Sequence, residues 1–347
     1  MPEREPNQSN SKVAGRPSAV ADSEFALLLT HDVDRPYKSV QSVYHAIEHR
    51  DLGQLRALRP DVNPWWTFDD IIELEESLGV RSAFYFLREK HLLERPPSDW
   101  LNPFYWVEHV GRYGLETPEM LDLLDRLQEG GWEVGLHGSY DSYDDAERLE
   151  TEKTMLELAL GESVTGGRQH HLNRSPETWD HHRDIGLKYD ASPGSSETFG
   201  FDHGYLPFRP FGDEFVVFPL TVMECALPDP GDDFNAAWAE CEALLAEAAE
   251  NDAVMSALWH PRLFEQTDFP GYRRLYRQLI ERALEMGAWV GAPADYYAMM
   301  DHPGESAAEE GDESELAETG NDDRSRLRPR QAGDNKVKTG LNTEPTG

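Results

Sequence analysis

Short apolar runs alternate with longer amphipathic segments through most of the chain. Residues 25–30 (FALLLT), 82–87 (SAFYFL), 132–136 (WEVGL), 163–168, 215–220 (FVVFPL), 254–259 (VMSALW) and 288–291 each read as a strand, with Tyr189 at the end of another. Between them, segments 68–78, 118–129, 146–160, 175–185, 234–250 and 272–286 carry apolar residues at helical spacing. Runs this apolar are buried on both faces, and their alternation with helices predicts a parallel sheet covered by crossovers. About seven such β-α units predict one α/β domain, a distorted (β/α) barrel, over residues 23–302. Residues 1–22 and 303–347 are polar and short of large apolar side chains, and are expected to be a disordered arm and a disordered acidic tail.

Charge narrows the partners. Asp and Glu number 66 against 32 Lys and Arg, a net charge of −34, and only seven of the cations are lysine. Phosphate contacts need a positive surface, so nucleic acid and anionic membranes are not the expected partners. Acids spread along the whole chain suit a salt-rich cytoplasm, where screening within a few ångströms removes most of the self-repulsion. Two cysteines, Cys225 and Cys241, make no disulfide framework. With no signal-peptide core and no membrane-length apolar run, a soluble, halophilic, cytoplasmic protein is expected. The oligomeric state is not legible.

In parallel α/β folds the reactive groups gather at the carboxyl ends of strands. The tetrapeptide Thr67-Phe68-Asp69-Asp70 fails this rule: no apolar strand precedes it, and a threonine followed by acids and helical apolar spacing is a helix start. Thr30-His31-Asp32-Val33-Asp34 passes, because its carboxylates close the run FALLL. His137 follows the strand in EVGLHGSYD, Arg168, His170 and His171 follow another in GGRQHHLNR, and His260 ends a fourth in ALWHPRLF. Paired carboxylates with several imidazoles at neighbouring strand ends fit a divalent cation such as Zn²⁺.

In order and spacing, the motifs THDVD, GLHGSYDSY, GGRQHH, KYDAS and LWHPRLF resemble those of the polysaccharide deacetylases (the NodB-homology group, carbohydrate esterase family 4) over residues 25–300. The resemblance implies metal-dependent removal of an acetyl or other acyl group from an N-acetylated sugar or glycan precursor. It gives Asp32 the role of general base, Arg168 that of holding the base, His260 that of general acid, and Asp190 that of orienting the acid. The family's second acid would fall on Val33, so Asp34 is expected to reach the metal beside His137. The family's second histidine falls on Asp141, and its proline on His170. His170 is the favoured third ligand and Asp141 the alternative. These departures imply a divergent subgroup. Two other readings stay open: hydrolysis of a linear non-sugar amide on the same scaffold, and an inactive barrel that binds glycan or a partner. Aromatic side chains including Trp65, Tyr105, Tyr140 and Trp259 are candidates to line a sugar cleft, and Glu224, after another strand, either enters the cleft or caps a bend.

Overall fold

The computed structural model describes residues 12–303, apart from 39, 40, 49, 51 and 60. Its strands are β1 (Lys12–Val13), β2 (Ala26–Val33), β3 (Ala83–Leu87), β4 (Glu133–Gly138), β5 (Gly166–Gln169), β6 (Tyr189–Asp190), β7 (Phe208–Arg209), β8 (Val216–Val217), β9 (Val222–Met223), β10 (Val254–Leu258) and β11 (Trp289–Gly291). The helices are α1 (Gln41–Glu48), α2 (Phe68–Leu78), α3 (Pro103–Gly111), α4 (Pro118–Glu129), α5 (Ala146–Leu160), α6 (Thr178–Asp184), α7 (Phe234–Glu250), α8 (Tyr272–Glu285) and α9 (Pro293–Ala298).

Strands β2 to β6 pair in chain order and in parallel, β10 lies on the other flank of β2, and β9 lies beside β10. The sheet curls, and segment 216–223 spans its two edges. The Phe218 N–H donates to the Asp190 carbonyl (2.9 Å) on one side, and the Thr221 N–H donates to the Ser256 carbonyl (2.9 Å) on the other. The result is the expected distorted (β/α) barrel. No helix among the described residues is long and apolar enough to cross a membrane.

Alternation along the strands divides the core. Leu27, Leu29, Val33, Phe84, Phe86 and Leu136 point outward into the helical layer. Leu28, Tyr85, Tyr189, Val216 and Phe218 fill the barrel. Each such aliphatic or aromatic side chain contributes about 1.5–3 kcal/mol by leaving water. Two inward positions must be glycine: a Cβ on Gly135 would lie 2.5 Å from the Tyr85 ring, and one on Gly166 would lie 2.2 Å from the Tyr189 ring. The helices begin where polar caps permit. Asp145 accepts from the Arg148 N–H (3.1 Å) at the start of α5, and Asp233 from the Ala236 N–H (3.0 Å) at the start of α7.

The N-terminal segment departs from expectation. Residues 1–11 and 304–347 lie outside the described residues, but 12–22 are not a free arm. Lys12 and Val13 pair antiparallel with β7, and Ala14 and Val20 are buried against the barrel floor. Arg16 donates to the Val20 (2.8 Å) and Ser23 (2.6 Å) carbonyls. Two apolar residues and one arginine tie the segment down, too few to show a period in the sequence.

Candidate metal centre and active site

Strand alternation decides which motif residues meet. Thr30, Asp32 and Asp34 share the inward face of β2 and its continuation, while Val33 lies in the outer core. Position 34, and not 33, therefore places a carboxylate in the cluster. The same period carries Arg168 and His170 inward from β5, His137 from β4, and His260 from β10. Conversely, Tyr189 occupies the inward position of β6, so Asp190 faces out towards α6.

Asp34, His137 and His170 offer one ligand atom each within 4.8 Å of one another. His137 Nε2 is 3.1 Å and His170 Nε2 3.7 Å from Asp34 Oδ1. His137 Nδ1 stands 2.9 Å from the Arg168 carbonyl, which can only accept, so the ring proton is on Nδ1. The Nε2 lone pair therefore confronts a carboxylate oxygen. Asp34 Oδ1 is buried and has no hydrogen-bond partner. Two electron-pair donors held together in a dry site repel unless a proton or a cation lies between them. Without a metal the proton serves: burial alone would lower His137, but Asp32 and Asp34 raise it. Burial pushes His170 down to about 4, against the pull of Asp34, leaving a neutral ring with a lone pair to give. The donor set thus fits a divalent ion, which would release protons on binding.

Asp32 sits beside this cluster. Arg168 Nη1 donates to Asp32 Oδ1 (2.8 Å) and to Thr30 Oγ1 (2.9 Å), and its Nε donates to the Ala191 carbonyl (2.8 Å). The guanidinium also lies over the Tyr85 ring at 5.1 Å. Burial would raise the Asp32 carboxyl, but Arg168, with His137 and His260, outweighs it and holds the group below its usual range. Asp34 is driven well below its range by His260 and His170, again against burial.

His260 Nε2 lies 3.1 Å from Asp34 Oδ2, and its Nδ1 lies 2.5 Å from Glu224 Oε1. Burial would lower this imidazole, yet Glu224, then Asp34, raise it to about 9. The expected partner, Asp190, is elsewhere: it accepts from Ser192 Oγ (2.5 Å) and Trp179 Nε1 (2.9 Å), and lies 3.4 Å from His182 Nδ1. Glu224, left undecided by the sequence, is the carboxylate that meets His260 Nδ1.

The alternative ligand Asp141 is 2.5 Å from Arg95 Nη1 and is not in the metal-type cluster. Arg95 also pairs with Glu89 (2.7 Å), so Asp141 is held in an ion-pair network at the rim. The tetrapeptide 67–70 is likewise spent on structure. Thr67 holds the N-cap position of α2, although its hydroxyl donates to the Pro261 carbonyl (2.5 Å) instead of capping. Asp69 pairs with Arg126, and Asp70 with Arg273 (2.8 Å).

Several residues went unnoticed in the sequence. Arg262 Nη1 is 3.5 Å from Asp34 Oδ2, two residues past His260 and on the same face. Glu89 and Glu108 lie 3.9 and 3.8 Å from His170 Nδ1. Glu89 was reachable by continuing the inward parity that Tyr85 sets on β3. Glu108 lies on α3, in a segment without periodic signal. Of the cleft aromatics, Trp65 and Trp259 are core residues. Tyr140, Phe104 and His171 instead form a ring cluster beside His170, with centroids 4.4–5.9 Å apart.

Fold and site together define a curled α/β barrel with an Asp/His cluster, fit for a metal, at its carboxyl-end face. The fold is that of the polysaccharide deacetylases. The chain is similar to a Mycobacterium smegmatis protein provisionally assigned as a polysaccharide deacetylase, with 15% identity, 92% of this chain and 100% of that chain covered, and a TM-score of 0.52. Weaker likenesses, each with a TM-score of 0.41 and 13% identity, are to the polysaccharide deacetylase Bc1974 from Bacillus cereus (77% of this chain, 91% of that one) and to a CE4 family pseudoenzyme from Bacillus anthracis (82% and 68%). No protein-family model and no curated protein matches the sequence. At these identities the likeness establishes the fold, and activity must be argued from the site.

Proposed function

We propose that this protein is a metal-dependent hydrolase that removes an acyl group, acetyl first among them, from an N-acylated sugar or glycan precursor. One observation carries the reading: a buried Asp34 oxygen without a hydrogen-bond partner faces two imidazole Nε2 atoms, next to an ionised Asp32 and a protonated His260. Asp34, His137 and His170 would hold the ion, and one carboxylate with two imidazoles favours Zn²⁺. When bound, such an ion supplies an acidified water and polarises the acyl carbonyl.

The chain's own groups do the rest. Asp32, kept ionised by Arg168, accepts the proton of the attacking water at Oδ2, the oxygen left free by the guanidinium on Oδ1. His260, charged through Glu224, delivers the Nε2 proton to the departing amine. The Tyr140–Phe104–His171 cluster gives a sugar ring a face to stack on.

The test is zinc content together with acetate release from N-acetylglucosamine oligomers. The wild-type protein should bind one zinc per chain and release acetate. Asp32→Asn should keep the zinc and lose turnover by about 10²-fold or more, the usual worth of a general base. A protein that takes up no zinc, or an Asp32→Asn variant that retains turnover, refutes the assignment.

A further inference from the structure

We infer that Glu108, on α3, is the positioning residue that orients His170 as a metal ligand by accepting a hydrogen bond from its Nδ1–H. The inference rests on the proposed role of His170 and concerns the other side of that ring.

An imidazole that gives its Nε2 lone pair to an ion must carry its proton on Nδ1, and a buried N–H needs an acceptor. His170 Nδ1 is buried and makes no hydrogen bond. Two carboxylate oxygens face it, Glu108 Oε2 at 3.8 Å and Glu89 Oε2 at 3.9 Å. Glu89 is committed: its Oε1 takes Arg95 (2.7 Å) and its Oε2 accepts from the Tyr140 N–H (2.9 Å). Glu108 is anchored by Arg35 on Oε1 (3.1 Å), which leaves Oε2 aimed at the ring. The gap is about 0.9 Å longer than a standard N–H···O separation, and the ring and Oε2 must close it when the ion binds.

Glu108, His170 and His171 also satisfy the spacing of a second cation site. Three observations argue against one. His170 has a single ring to give, and its Nε2 already faces Asp34 and His137. The Arg35 guanidinium on Glu108 would repel a second dication. His171 Nε2 lies 3.9 Å from Glu108 Oε1, the same oxygen that Arg35 holds. Acceptor of the Nδ1–H hydrogen bond is the role that remains.

The experiment measures zinc affinity by chelator competition, together with the absorption spectrum of the Co²⁺-substituted protein, for wild type, Glu108→Ala, Glu108→Gln and His170→Ala. Expected are one ion per chain in the wild type and in both Glu108 variants, with affinity about 10- to 100-fold weaker in Glu108→Ala, the usual effect of losing such a partner. The Co²⁺ ligand-field bands should shift in Glu108→Ala. Glu108→Gln, which keeps an acceptor oxygen, should recover most of the affinity, a rescue that a merely structural role would not show. Wild-type affinity and spectrum in Glu108→Ala overturn the inference while leaving His170 a ligand. Two ions per chain overturn it in favour of a second cation site. Unchanged zinc binding in His170→Ala removes the ligand assignment itself.

Discussion

The barrel floor contains a carboxyl group that should make the protein less stable in alkali. Glu133 enters β4 half-buried, the Tyr189 hydroxyl donates to its Oε1, and the Ala294 N–H donates to its Oε2 (2.8 Å). No cation is among the causes that shift it, and burial pushes it from 4.5 to about 7. Because the folded value lies above the unfolded one, its stabilising contribution is complete below about pH 4.5 and is lost as pH rises through about 7. At about 1.4 kcal/mol per unit, the difference between folded and unfolded values amounts to about 3 kcal/mol above neutrality. Glu133→Gln removes the charge and keeps the bonds. The amide oxygen can accept from Ala294, and the amide N–H can donate to Tyr189, whose hydroxyl then donates to Tyr85, 2.9 Å away. In urea unfolding at fixed salt, the variant should match the wild type near about pH 4 and exceed it by about 2–3 kcal/mol near about pH 8.5. Taking the difference between the two proteins cancels the other titrating carboxylates. A difference that is flat across this range, or a variant less stable in alkali, would show that Glu133 is ionised in the fold and the reasoning wrong.

Two further outcomes follow from the same electrostatics. In metal-free protein, Glu224→Gln should bring the His260 ring down from about 9 by at least about one unit in an NMR titration, since the carboxylate is its chief charge partner. The alkaline limb of deacylation should move with it, and an unmoved titration rules Glu224 out as the orienting group. With a net charge of −34, thermal stability should rise steeply as potassium chloride is added and level off once the screening length falls to a few ångströms. A melting temperature indifferent to salt would refute the halophilic reading of the composition.

Much of this architecture is legible in the sequence because its cause is local. Helices α2, α4, α5 and α7 lie where apolar spacing, an opening Thr or Asp, and a closing Gly or Asn place them. What is not legible sits in the segments after β2 and β3. There α1 and α3 are held by tertiary contacts such as Arg35 with Glu108, in stretches rich in His, Arg, Trp and Pro that show no clear period. Strand β1 has only two residues, too short to carry alternation. Glu224 follows one of these two-residue strands, so nothing in the sequence could separate cleft from bend.

The site departs from the expected motif roles three times, and the departures follow one geometric constraint. A side chain on a strand reaches the barrel interior only from a position of inward parity, because a single-residue step turns it into the helical layer. Position 33 is outward by this parity, and its valine side chain joins the outer core while Asp34 carries the inward carboxylate. On β5 the inward series runs Gly166, Arg168, His170, so a histidine at 170 reaches the cluster that Asp141, tied to Arg95 at the rim, does not. The same parity sends Asp190 outward once Tyr189 is inside. The place beside His260 then had to be filled from another strand end, and Glu224 fills it. A motif-by-motif comparison sees three substitutions. The period of the strands makes them one rearrangement, in which each carboxylate or imidazole is found at the nearest position that still looks into the barrel.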